Sequence, residues 1–239
     1  MNGADSGVRA EIHHQHRDVT GGWLRPAVFG AMDGLVSNFA LIAGVAGGTA
    51  DTKIISLAGV AGLAAGAFSM AGGEYVSVAS QSEMAQAEID IERRELERNP
   101  QAEEEELAQL YVQRGVDLET AREVARQISS NPESALEVHA RAELGIDPHD
   151  LPSPILAAVS SFLSFSVGAL IPLLPYLLGV RGLWVSAIVS MVALFAAGVV
   201  VSRVTARTWW FSGLRQLVVG AVAAALTWGL GTAVGASGL

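Results

Sequence analysis

Five stretches of this sequence, roughly 25–48, 54–79, 154–178, 182–202 and 213–236, stay apolar over about 20 residues or more. That feature limits the possible folds more than any other. A helix rises 1.5 Å per residue, so such a run covers the roughly 30 Å hydrocarbon core of a bilayer. Only elements that satisfy their own backbone hydrogen bonds survive there. The expected fold is all-α: an integral membrane protein with five transmembrane helices.

The polarity pattern divides the chain into four parts. Residues 1–24 form a polar N-terminal tail with His13, His14 and His16 and no apolar signal-peptide core. A histidine cluster in such a tail reads as a weak metal binder or simply as a solvated segment. Residues 25–80 hold the first two spans, joined by the short turn Thr49 to Lys53. Residues 151–239 hold the other three. Between them, residues 81–150 carry 18 of the chain's 24 acidic residues against seven arginines, which leaves the remainder slightly basic.

Helix punctuation marks out the acidic part. Asn99-Pro100 closes a helix running out of the second span, and Gly115 and Asp117 end one helix and cap the next. Asn131-Pro132 opens a last helix that Gly145 stops. A small helical cytoplasmic domain inserted between spans two and three is expected. Arg9, Arg17 and Arg25 flank the first span, and Arg203, Arg207 and Arg215 lie between the fourth and fifth, while only Lys53 and Arg181 fall on the other side. By the positive-inside rule the N-terminus and the acidic domain are cytoplasmic and the C-terminus is outside. Lys53 is the only lysine among 15 basic residues, a skew that fits a GC-rich bacterial genome and so a bacterial cell membrane.

Two carboxylates break the apolar pattern. A charge at the bilayer centre costs at least roughly 2.5–3.5 kcal/mol, so Asp33 and Glu74 mark a functional site and point to cation passage. Counting from the ends of their spans, both lie about 10–12 Å in from the cytoplasmic side, in one layer. Met70 shares a helical face with Glu74, and Ser37 and Asn38 lie about one turn beyond Asp33. From spacing alone Met70 reads as a packing methionine or as a thioether ligand. The acids read as buried hydrogen-bonded groups, as cation ligands, or as proton carriers, since burial disfavours the charged carboxylate and a cation competes with its proton. Ala58, Gly62 and Gly66 recur every four residues, spacing that suits close helix approach within one subunit or across a homodimer.

In the acidic segment Glu88, Glu92 and Glu95 share one helical face, and Glu103 and Glu106 pair on the next helix across a short turn. Such carboxylates repel unless a cation binds, with Glu143 and, four residues before it, His139 able to join from the last helix. The other reading is a solvated acidic face. Glu-x-x-His pairs of the di-iron type do not occur in the segment. With no cysteine in the chain, any metal is held by oxygen, imidazole or thioether. No enzyme activity is expected, nor a nucleic-acid partner for a chain of net charge −9. The expected partners are the lipid bilayer, divalent metal ions, protons and a second copy of the chain.

The stretch Asp33-Gly34-Leu35-Val36-Ser37-Asn38-Phe39, the segment Phe68-Ser69-Met70-Ala71-Gly72-Gly73-Glu74-Tyr75 and the Glu-rich insert together resemble the vacuolar iron transporter family, over about Trp23 to Leu239. The resemblance implies a homodimer of five-helix subunits whose first helices line the pathway, exporting Fe²⁺ from the cytosol in exchange for protons. It implies transport roles for Asp33 and Met70, with Glu74 in the same motif, and metal-ligand roles for Glu92, Glu95, Glu103, Glu106 and Glu143. A methionine pair of a eukaryotic-type member falls here on His139 and Ala140, so imidazole either replaces a thioether or lies outside the site. Alternatives to Fe²⁺ transport are export of Mn²⁺ or another divalent ion, with Mn²⁺ or Zn²⁺ in the domain, and a membrane-bound metal sensor or store.

Overall fold

The computed structural model describes residues 22–205 and 207–237, and the described residues are helical with no strand. The histidines of the N-terminal tail lie outside the described residues. The helices are α1 (Leu24–Gly48), α2 (Thr52–Arg98), α3 (Pro100–Gln113), α4 (Leu118–Ser129), α5 (Pro132–His139), α6 (Pro154–Leu177), α7 (Leu183–Thr205) and α8 (Trp209–Ser237), with one π-helical turn at Ala140–Leu144 after α5. Five of them, α1, α2, α6, α7 and α8, are long and apolar enough to cross a membrane. Their outward faces carry Phe68, Leu163, Val167, Val192, Leu226 and Leu230, all exposed. Lipid would cover such a surface, whereas water would not tolerate it.

α1 is the central span and packs chiefly against α6 and α8. Lipid tails are as apolar as leucine, so close backbone approach holds such helices together more than hydrophobic burial does. The sequence provides for this on both seams. A Cβ on Gly34 would strike the Phe165 carbonyl, and one on Gly168 would strike that of Ala31, so α1 and α6 touch backbone to backbone. Toward α8, Gly231 sits against the Gly44 carbonyl, and Thr227 Oγ1 donates to the Ala40 carbonyl at 2.6 Å. Gln216 Nε2 of α8 also reaches Met32 Sδ at 2.8 Å. α6 carries Pro172 and Pro175 in its interior, and Ser186 Oγ of α7 donates to the Pro172 carbonyl at 2.6 Å. Neighbouring side chains of this kind let membrane helices tolerate proline.

α2 continues without a break from the second span into the acidic segment. Its 47 residues make it about 70 Å long, more than twice the hydrocarbon thickness. It stops at Asn99, where Pro100 opens α3. The caps follow the sequence: Asp117 accepts from the Glu119 and Thr120 amides, Asn131 from those of Glu133 and Ser134, and Gly145 ends the π-helical turn at φ 67°. Leu107, Ala108, Ala121 and Ala125 form a small core between α3 and α4, with Val138 of α5 against it.

Candidate metal-binding sites

The first site lies within the spans. Asp33, Ser37, Asn38 and Leu41 of α1, Gly62, Gly66, Ser69 and Met70 of α2, and Phe165 of α6 line one cavity of about 270 Å³. Asp33 and Met70, on separate helices, thus face a common space, together with the hydroxyls of Ser37 and Ser69. Gly66 keeps that space open, because a Cβ there would run into the Phe165 ring. Asn38 is buried, and its Nδ2 donates to the Ala169 carbonyl at 2.7 Å. Glu74 is half-buried on α2, one turn beyond Met70, and is not among the residues lining this cavity. Its Oε2 is buried without a hydrogen-bond partner. Glu74, expected in one layer with Asp33, thus lies one helical turn along α2 from the lining of this cavity.

The second site lies outside the spans, where α2, α3 and α5 converge. Glu92 of α2, Glu103 of α3 and His139 of α5 are buried, and one donor atom of each falls within 4.8 Å of the others. Nδ1 of His139 lies 3.0 Å from Glu92 Oε1, 2.9 Å from Glu143 Oε1 and 3.8 Å from Glu103 Oε2. A single Nδ1 proton cannot serve three carboxylates. In fact Nδ1, Nε2 and Glu92 Oε1 are all buried without a hydrogen-bond partner. One imidazole proton among several buried carboxylates is costly unless a cation or further protons lie among them. The set of imidazole nitrogen and carboxylate oxygen suits a divalent transition ion.

Glu143 lies four residues after His139, in the π-helical turn that begins directly after it, and this spacing sets its carboxylate against the imidazole. Burial raises the Glu143 carboxyl to about 7, helped by the charges of Glu106, Glu103 and Glu95. Burial likewise raises Glu92 to about 6, with Glu143, Glu103 and Glu95 adding to the rise and His139 opposing it. Glu103 is raised too, by burial first and then by Glu106 and Glu95.

Glu95 and Glu106 are themselves exposed, so they act on the cluster through their charge from its rim. Glu88 is exposed one turn nearer the spans and is not among the groups acting on Glu92, Glu103 or Glu143. The face shared by Glu88, Glu92 and Glu95 is thus split, with Glu92 alone of the three buried. His139, which the sequence leaves either as a ligand or outside the site, sits at the centre, fully buried. Ser69, on the cavity wall, carried no sequence signal beyond its place in the motif around Met70.

Comparison with known proteins places the chain in a family. The model of the VIT family matches residues 24–232. The chain is 42% identical over 219 residues to a vacuolar iron transporter of Acanthamoeba castellanii, covering 89% of this chain and 78% of that protein. It is 33% identical over 226 residues to vacuolar iron transporter 1 of Oryza sativa subsp. japonica, covering 93% and 90%. It is 31% identical over 217 residues to vacuolar iron transporter 1 of Arabidopsis thaliana, covering 89% and 87%. With the match running from the first candidate span to the last, this chain belongs to the VIT family, and the relatives it matches are named as transporters rather than enzymes.

Proposed function

We propose that the protein is a homodimeric Fe²⁺/H⁺ antiporter of a bacterial cell membrane that exports ferrous iron from the cytosol and so protects the cell from excess iron. The observation that carries this reading is the cavity uniting Asp33 with Met70 inside the spans. A carboxylate beside a thioether favours a borderline transition ion over Mg²⁺ or Ca²⁺, which prefer all-oxygen shells. An acid in low-dielectric surroundings also binds a proton readily, so ion and proton compete for Asp33, and that competition is the physical basis of exchange. Iron as the cargo is supported by the names of the relatives.

Residues 81–150 act in this reading as a cytoplasmic metal-binding domain. Their acidic field draws in cations, Glu92, Glu103, His139 and Glu143 hold one, and Glu95 and Glu106 raise its local concentration. α2 runs unbroken between this group and Met70, so capture and passage share one rigid element. Glu74, on the same helix, lies between the two sites. The arginine asymmetry supports the orientation, with the N-terminus and the domain inside and the C-terminus outside.

The test is Fe²⁺ uptake by proteoliposomes with an acidic interior, compared with vesicles lacking a pH gradient. Gradient-driven uptake supports antiport. Uptake indifferent to the gradient leaves transport but removes proton exchange, and preferential uptake of competing Mn²⁺ changes the cargo. Metal binding without flux of any divalent ion would replace the proposal with a sensor or store.

A further inference from the structure

One wall of the Asp33 cavity has polar atoms fixed by the fold. Asn38 is 2% exposed, and its Nδ2 donates to the Ala169 carbonyl of α6 at 2.7 Å. With the amide reversed, its oxygen would face that carbonyl oxygen, two acceptors with no proton between them, so Oδ1 is committed to the other side. There Oδ1 has no hydrogen-bond partner. Opposite it stands Gly62 of α2, where a Cβ would come within 2.8 Å of Oδ1.

A buried acceptor without a donor calls for an explanation. The hydroxyls on the cavity wall, Ser37 and Ser69, do not donate to it, and the Met70 thioether has no proton to give. Asn38 nevertheless lines the same cavity as Asp33 and Met70. A fixed acceptor without a donor, on a wall shared with other electron-pair donors, is placed as a cation ligand is placed.

We propose that Asn38 Oδ1 is a direct, neutral ligand of the transported divalent cation and determines which ions the cavity accepts. This rests on the reading of the cavity as the transport site. As a neutral ligand, the amide replaces part of the ion's hydration shell without adding charge. With Asp33 ionised the cavity then sets one negative charge against the ion's two, which holds the ion without trapping it. The bond to Ala169 fixes the amide in place beside Gly62, where a Cβ would strike the Leu41 side chain and crowd Oδ1. Amide oxygen, carboxylate oxygen and thioether sulfur together form a mixed shell, which discriminates among divalent ions by softness and fit.

The test measures Fe²⁺ and Mn²⁺ flux into proteoliposomes by the full chain, comparing wild type with Asn38→Leu, Asn38→Asp and Gly62→Ala. Asn38→Leu is expected to raise KM at least tenfold and to shift the Fe²⁺ to Mn²⁺ KM ratio severalfold. Asn38→Asp, by adding charge, is expected to lower KM and to slow maximal flux at least tenfold. If Asn38 merely tied α1 to α6, Leu and Asp would both lose the donated bond and impair flux of both ions alike; that result overturns the proposal. Gly62→Ala leaves the Ala169 bond intact and crowds Oδ1, so it must shift the ion ratio even where Asn38→Leu fails to fold. An unshifted ratio in Gly62→Ala overturns the proposal while Asp33-dependent flux by wild type keeps the transport reading. Absence of flux of any divalent ion in wild type overturns both.

Discussion

His139 Nδ1 lies 3.0 Å from Glu92 Oε1, joining the end of α5 to the part of α2 that protrudes from the spans. Neither atom has a hydrogen-bond partner, and the proposed function makes the two of them ligands of one cation. Removing one member of a buried polar cluster leaves the others uncompensated, and removing a metal ligand also weakens binding. His139→Leu is therefore expected to weaken Fe²⁺ or Zn²⁺ binding at least roughly 10-fold, the least that losing even an outer partner of a metal site costs. It should also lower the metal-free melting temperature, because Glu92, Glu103 and Glu143 stay crowded together without the imidazole. Calorimetric titration and thermal unfolding check the two halves, and a lowered melting temperature with intact binding would assign His139 to the core alone.

Proton competition follows from the raised acids. Glu143 titrates at about 7 and Glu92 at about 6, so metal binding by residues 81–150 should weaken steadily as pH falls from 7.5 to 5.5. Stability without metal should run the other way. Both acids hold protons more tightly folded than unfolded, where their value is near 4.5, so their contribution to metal-free stability is fully present below that value and is lost as pH rises through 6 and 7. Added metal should remove this loss. Melting curves across pH, with and without Mn²⁺ as a redox-stable probe, check both signs.

Glu95 and Glu106 act on the buried acids only through their charge. Glu95→Gln with Glu106→Gln should lower the Glu143 carboxyl from about 7 toward its ordinary range and reduce metal affinity mainly at low ionic strength. Titrations at two salt concentrations check this. An equal loss at both would make the two acids direct ligands.

The glycines of α2 divide into two kinds. A Cβ at Gly66 would meet the Phe165 ring, so Gly66→Ala should destabilise the fold by about 1–3 kcal/mol and close the Asp33 cavity. Nothing lies within 4 Å of a Cβ at Gly72, so Gly72→Ala should leave packing within the subunit unchanged. Unfolding and flux of the two variants check the contrast.

Much of this was legible in the sequence, for local reasons. Run length gave the five spans, and Asp117, Asn131 and Gly145 punctuated the acidic segment because caps act within a turn or two. Helical spacing puts Met70 and Glu74 on one face, but counting from span ends does not fix depth to within a turn, and of the two only Met70 lines the Asp33 cavity. Spacing likewise places Glu88 and Glu92 on one face, yet only Glu92 is buried. The pairing of Glu143 with His139 is an i, i+4 relation that the sequence displays, whereas the π-helical turn in which Glu143 sits has no signal in that spacing. The acceptor for Asn38 is Ala169, a backbone atom on a distant span that no side-chain pattern reveals.

The most direct test of the central claim, that the cation passes through the cavity of Asp33 and Met70, is Fe²⁺ flux by Asp33→Ala beside wild type, in proteoliposomes under the same pH gradient. The account predicts that flux is abolished while metal binding by residues 81–150 stays at the wild-type level. Undiminished flux in Asp33→Ala would contradict it and place the pathway elsewhere in the molecule.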